Sequence, residues 1–251
     1  MSTLNFTPRV SVFDANVGVG HRHDRRYPFE SSDQLLEEMA HHGVDRALVY
    51  EVQGELISPT QGNDALHKWT DSNHALVPQY VAGCDTESIN QLTDLDKDGK
   101  LSNVRLHNTE ECRLPFVPWV YDDLLTWLTD QNIPLWISLA DTPPTEIVET
   151  LSKHPNLEVV LVGAHYVHSL MIRPMLHALP NTYLELSRYE NIKGIEKLAQ
   201  EFGTNRLLYG SFFPRYAMGP MLFTLHHLSM SEEDLASICA KNLEGILSLS
   251  K

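Results

Sequence analysis

Several polar residues stand in pairs whose spacing would let a folded chain use them together. Asp14 and Asn16 lie two apart in VFDANVG, Arg105 and His107 two apart in NVRLHN, and Glu185 and Arg188 three apart in LELSR. His165 sits in VGAHY, Glu51 ends RALVYE, and SFFPR begins with Ser211 and ends with Arg215. His107 or His165 suits a general base, because imidazole titrates near neutral pH. Asp14, Asn16 and Glu185 have the oxygens and amide to position a water or to stabilise a developing charge. Arg105 and Arg215 carry planar forks that match a carboxylate with two hydrogen bonds. Glu51, Arg188 and Ser211 complete the candidates for holding substrate. Each has a plainer alternative, since strand-end carboxylates often just tie loops together.

Thirteen histidines invite a metal reading, but a metal needs three or four donors converging on one point. His107 and His165, with His21, His23 or Glu185, are the only combination with that prospect. His21, His23, His165 and Glu185 form the specific alternative ligand set for zinc or manganese; otherwise no cofactor is expected. Neutral histidines satisfied by hydrogen bonds are the commoner case. The stretch DLDKDGKLSNVR places Asp94, Asp96 and Asp98 like a calcium loop, yet its twelfth residue is Arg105 where that loop needs Glu. A solvated loop entering a strand is expected there. Cys84, in VAGCD, reads as a small buried thiol, and Cys239 falls on the apolar face of a helix. No G-x-S-x-G elbow or phosphate-cradling P-loop is present.

The elements that must position these residues alternate. Eight short β-branched runs recur: Val10 to Phe13, Arg46 to Tyr50, Leu76 to Val81, Asn103 to Leu106, Pro134 to Leu139, Leu157 to Val162, Thr182 to Leu186 and Arg206 to Tyr209. Helical patterns separate them, which predicts a parallel sheet with crossover helices. Runs such as LEVVLV are apolar throughout, as strands buried on both faces are. A closed eight-stranded (β/α)8 barrel with an extra C-terminal helix follows, in which chemistry collects at the C-terminal ends of the strands. Ser31, Thr142 and Ser231 read as helix starts, and Gly43 and Gly203 as stops. Residues 61–73 and 121–131 read as helices. The length of 251 residues suits one domain spanning 1–251.

Nineteen basic against thirty-three acidic side chains give a formal charge of −14, which repels phosphate backbones and anionic lipid. Nucleic-acid and membrane partners are therefore not expected; a small molecule is, and a homo-oligomer remains open. The basic run HRHDRR, residues 21–26, reads as a solvated loop with the alternative of a small-anion site. MSTLNFTPRV lacks the regions of a signal peptide, which points to the cytoplasm, and three scattered cysteines point to reduced thiols.

Taken in order, VFDANVG, GVDRALVYE, NVRLHN, HPNLEVVLVGAHY, NTYLELS, NRLLYGSFFP and KNLEGIL resemble the strand ends of the amidohydrolase-related family. Its members are metal-dependent hydrolases and nonoxidative decarboxylases on a (β/α)8 barrel. By that resemblance Asn16 and Gly18 stand at the H-x-H of the first strand, Ser138 at the fifth-strand histidine and Phe212 at the eighth-strand aspartate. Only His165 is retained. The resemblance thus implies a family-type barrel whose zinc-hydroxide route is closed, leaving a metal-independent hydrolase or lyase for a small carboxylate-bearing substrate. A barrel that binds a small molecule or partner without catalysis is the alternative.

Overall fold

A computed structural model describes residues 6–22 and 26–248. Its strands are β1 (Phe13–Val19), β2 (Arg46–Glu51), β3 in two halves (Leu76–Pro78 and Tyr80–Ala82), β4 (Val104–Leu106), β5 (Leu135–Ser138), β6 (Val159–Val162), β7 (Thr182–Glu185) and β8 (Leu207–Leu208). All the pairings are parallel and join neighbours in sequence order. The halves of β3 meet at Gln79, whose N–H still donates to Val49 at 2.8 Å. The ring closes between β1 and the segment after β8: Ala15 N–H donates to Tyr209 at 3.1 Å, Gly18 N–H to Phe213 at 2.8 Å, and Val17 bridges Phe213. The chain is an eight-stranded parallel barrel of the TIM type.

Burial of both strand faces explains the unbroken apolar runs. β5 and β6 are buried at every position. Leu48, Trp136, Val160, Val162 and Leu208 share one buried cluster with Ala240, Leu243 and Ile246 of the C-terminal helical segment. Arg46, at the first residue of β2, ion-pairs with Glu244 of the same segment, so that segment covers the N-terminal end of the barrel. The opposite end is left for the loops.

Local chemistry sets the helix ends. Ser31 accepts from Gln34 N–H at the start of α1 (Ser32–His42), and Gly43 ends it at φ +69°, a left-handed backbone that glycine adopts without strain. The helix after β2 is split into α2 (Val52–Leu56) and α3 (Pro59–Thr70). α4 (Thr86–Lys97), α5 (Pro118–Gln131), α6 (Pro144–Leu151), α7 (Ser169–Ala178), α8 (Gly194–Phe202) and α9 (Gly219–His227) complete the ring. The C-terminal segment runs from α10 (Glu232–Ala236) through a π turn to Asn242–Ser248.

Three expectations shift. The first strand starts at Phe13 and runs through Val19, not over Val10 to Phe13, because the polar groups of Asp14 and Asn16 are buried inside the strand. Thr142 does not cap α6; its hydroxyl meets Thr109 at 3.0 Å and the helix starts after Pro143. Asp94 and Asp96 belong to α4 and not to a loop, and Lys97 and Lys100 pair with Asp94 and Asp98.

Candidate active site at the barrel mouth

Arg105 stands at the centre of the mouth. β4 carries it into the barrel, where it is 1% exposed, with the guanidinium 3.9 Å above the ring of Tyr50 on β2. Its Nε donates to Glu55 on α2 at 2.6 Å and its Nη1 to Asn16 on β1 at 3.3 Å. Asn16 passes the connection on, donating from its amide to Glu185 on β7 at 3.2 Å. Four segments of the barrel are thereby joined through one buried cation. Burial raises the Glu55 carboxyl and Arg105 opposes that rise, while Glu55 and Tyr50 keep the guanidinium charged against its own desolvation.

The two carboxylates beside this chain differ in one respect that matters. Glu185 is saturated: Oε1 accepts from Ser187 N–H at 2.6 Å, and Oε2 from Gly163 N–H, Ser187 hydroxyl and Asn16 amide. Asp14 is not. Its Oδ1 accepts from Asn16 N–H at 3.0 Å and Ser211 N–H at 2.9 Å, but its Oδ2 is buried with no partner. Full burial, with the charge of Glu185 adding to it, pushes the Asp14 carboxyl up to about 7 against the pull of the Ser211 and Asn16 hydrogen bonds. Arg105 Nη2 is the matching orphan donor. Buried polar atoms without partners are rare enough to require a reason.

Aromatic rings layer the guanidinium groups above this network. Arg105 lies 5.9 Å and Arg215 5.0 Å from the centre of the Phe212 ring, and Arg188 sits at 3.9 Å over Tyr216. Phe212 itself holds φ +57°, a left-handed backbone that costs an aromatic residue energy and persists only when its surroundings demand it. Its ring rests against Gly163, where a Cβ would come within 3.0 Å. Tyr27 packs with Tyr50, Val52 and Val81 beside it.

Of the residues singled out from the sequence, Asp14, Asn16, Arg105, Glu185 and Ser211 meet here. Arg188 and Arg215 stand half-buried at the rim. His107 turns elsewhere: Nε2 meets the Tyr121 hydroxyl at 2.6 Å and Nδ1 the Cys112 thiol at 3.0 Å, and burial lowers its pKa to about 4. The His165 ring lies tilted at 4.0 Å from that of Tyr166, and its backbone N–H donates to His168 Nδ1. Glu51 caps α2 by accepting from Gly54 N–H and faces a separate recess. Glu55, Tyr50 and Tyr27 were missed. The signal for Glu55 was an acid four residues beyond Glu51, hidden because Gly54 interrupts what would otherwise read as a helix.

These residues do not suit a divalent cation of the kind a family-type barrel holds. The Asn16 amide is committed on both sides, and the guanidinium at its oxygen repels a second cation. Position 18 has no donor, and a Cβ there would meet Val52 at 2.9 Å and the Tyr50 hydroxyl at 3.3 Å. Among the described residues no group of three or more His, Cys, Asp or Glu is arranged to hold a metal ion. Of the alternative set, Glu185 is saturated and His21 Nδ1 accepts from Tyr27 N–H, while His23 lies outside the described residues.

No family model matches the sequence, and no curated protein does. Solved structures match along nearly the whole chain. An uncharacterized TIM-barrel protein from Bordetella bronchiseptica superposes at a TM-score of 0.77 with 18% identity, covering 96% of this chain and 99% of the other. A dihydroxybenzoic acid decarboxylase from Polaromonas sp. JS666, solved with bound manganese and the inhibitor 2-nitroresorcinol, also scores 0.77 at 12% identity over 96% and 98%. Amidohydrolase 2 from Bifidobacterium longum subsp. infantis scores 0.65 at 14% identity over 96% and 99%. The chain thus shares its fold with these solved barrels. Among the described residues no helix is long and apolar enough to cross a membrane.

Proposed function

We propose that this chain is a divergent amidohydrolase-like barrel that hydrolyses or cleaves a small carboxylate-bearing substrate without a metal ion. The observation that carries the reading is the pair of unpartnered buried atoms, Asp14 Oδ2 and Arg105 Nη2, joined through Asn16. An acid titrating near 7 takes and returns a proton at neutral pH with the least mismatch to its task. A fixed guanidinium N–H aimed at a reacting carbonyl stabilises the negative oxygen that forms when water adds. Asp14 accepts the proton of that water as its oxygen bonds to the carbonyl carbon, Arg105 holds the oxyanion, and on collapse the acyl C–O bond breaks and Asp14 returns the proton to the leaving oxygen. Asn16 and Glu185 are positioning residues, and Arg188 and Arg215 at the rim receive the substrate carboxylate. Entry requires the Phe212 ring to swing off Arg105. The decarboxylase neighbour solved with 2-nitroresorcinol supports a small aromatic ligand.

The sealed mouth favours a second reading, a non-catalytic binder, because Asp14, Asn16, Arg105 and Glu185 are at most 1% exposed. A panel of lactones and esters bearing a carboxylate, assayed with wild type, Asp14→Asn and Arg105→Met, separates the two. Turnover that falls at least a hundredfold in both variants agrees with the catalytic reading. Saturable thermal stabilisation by panel members with no turnover in wild type overturns it and leaves the binder.

A further inference from the structure

Beside the barrel, a recess of about 370 Å³ opens between the ends of β1 and β2 and the helices α2 and α3. Glu51, Gln61, Lys68 and Trp69 line it with Gly20 and Gly62, and none of the charged residues of the mouth reaches it. Its floor is the Glu51 carboxylate, 6% exposed. One oxygen, Oε2, accepts from Gly54 N–H at 2.9 Å. The other lies against Gly20, which sits at φ +80°, and any Cβ there would collide with it. A Cβ on Gly62 would come within 3.2 Å of Oε2. Glycine on both sides lets the backbone close around the carboxylate at the edge of the recess. Trp69 lines the same recess, and its ring makes a T-shaped contact with Phe29 at 5.7 Å.

A carboxylate and an indole side chain in one small recess receive a particular chemistry. A protonated amine donates charge-assisted hydrogen bonds to the carboxylate, and its charge is attracted to the face of the ring. Anions are disfavoured by Glu51 and by the net charge of −14. Burial raises the Glu51 carboxyl, and the Gly54 and Gln53 N–H groups and then the charge of Lys68 oppose that rise. We propose that this recess is a binding site for a small organic primary amine, independent of the chemistry at the mouth.

Benzylamine and putrescine are the probes, with benzyl alcohol and benzoate as neutral and anionic controls, read by thermal melting and tryptophan fluorescence on the whole protein. Saturable responses to the amines alone are expected, about tenfold weaker in Glu51→Gln, where the amide still caps α2 but carries no charge. Lys68→Gln tightens amine binding, because a competing cation is gone. Ala65→Phe fills the recess without touching a charge and abolishes the response, which keeps the test decisive if Glu51→Gln fails to fold. Equal responses to benzyl alcohol, no saturation into tens of millimolar, or amine binding unchanged in both Glu51→Gln and Ala65→Phe overturns the proposal.

Discussion

Replacing Asp14 with Asn should make the protein more stable at pH 8 than the wild type, although it removes a carboxylate bonded to two backbone N–H groups. The folded carboxyl titrates at about 7 against 3.8 for the ordinary side chain. Between those values the folded state holds a proton that the unfolded chain has released. The contribution of Asp14 to stability therefore falls as pH rises from about 4 to 7 and stays low above 7. A shift of about 3 units corresponds to about 4 kcal/mol at full expression, taken as an upper figure for a buried group. Asn keeps an oxygen for the Asn16 and Ser211 N–H groups and carries no charge, so it escapes this cost. Urea unfolding of wild type and Asp14→Asn at steps from pH 4.5 to 8 gives the difference directly. It should be small at pH 4.5 and grow by about 1.4 kcal/mol per pH unit toward pH 7 before levelling. A difference independent of pH refutes the reasoning, because it means that Asp14 ionises normally within the fold. The same variant should lose turnover, placing stability and activity in opposition at one residue.

Arg105→Met leaves Glu55 buried without its partner and should cost about 3 to 5 kcal/mol in urea unfolding, with most of the loss recovered by adding Glu55→Gln. His107 titrates near 4 in the fold and near 6.5 when unfolded, so it withdraws stability as pH falls through that window. His107→Gln should flatten the acid limb of the stability profile by about 3 kcal/mol and leave neutral-pH turnover unchanged. Phe212→Gly relieves the positive φ but removes a buried ring, so melting should fall while kcat/KM rises through easier entry; an unchanged kcat/KM argues against Phe212 as the obstruction.

Much of the scaffold could be read from the chain because periodicity is local. Near-continuous apolar strands such as LEVVLV, the Ser31 cap and the Gly43 stop each express their preference within a few residues. The first strand differs because VSVF carries the β-branched signal, while DANVGV holds polar side chains whose partners, Ser211, Glu185 and Arg105, come from distant segments of the barrel. The site was legible as a set of strand ends and not as a set of partners. Arg105 finds Glu55 fifty residues away and Asn16 on the far side of the ring, and nothing local announces either pairing. His107 and His165 looked like the natural bases by type; the fold gives His107 to Tyr121 and Cys112 and sets His165 against Tyr166. The free oxygen on Asp14 and the saturation of Glu185 are properties of three-dimensional hydrogen bonding, invisible in sequence.

The central claim is that the residues gathered around the buried Arg105 guanidinium work without a metal ion. Metal content and turnover should be measured on the same untagged protein before and after exhaustive chelation, and again after addition of zinc or manganese. The account predicts substoichiometric metal throughout and a rate on the carboxylate-ester panel that chelation does not change. One equivalent of tightly held zinc or manganese, with turnover lost on its removal and restored on its return, would contradict it.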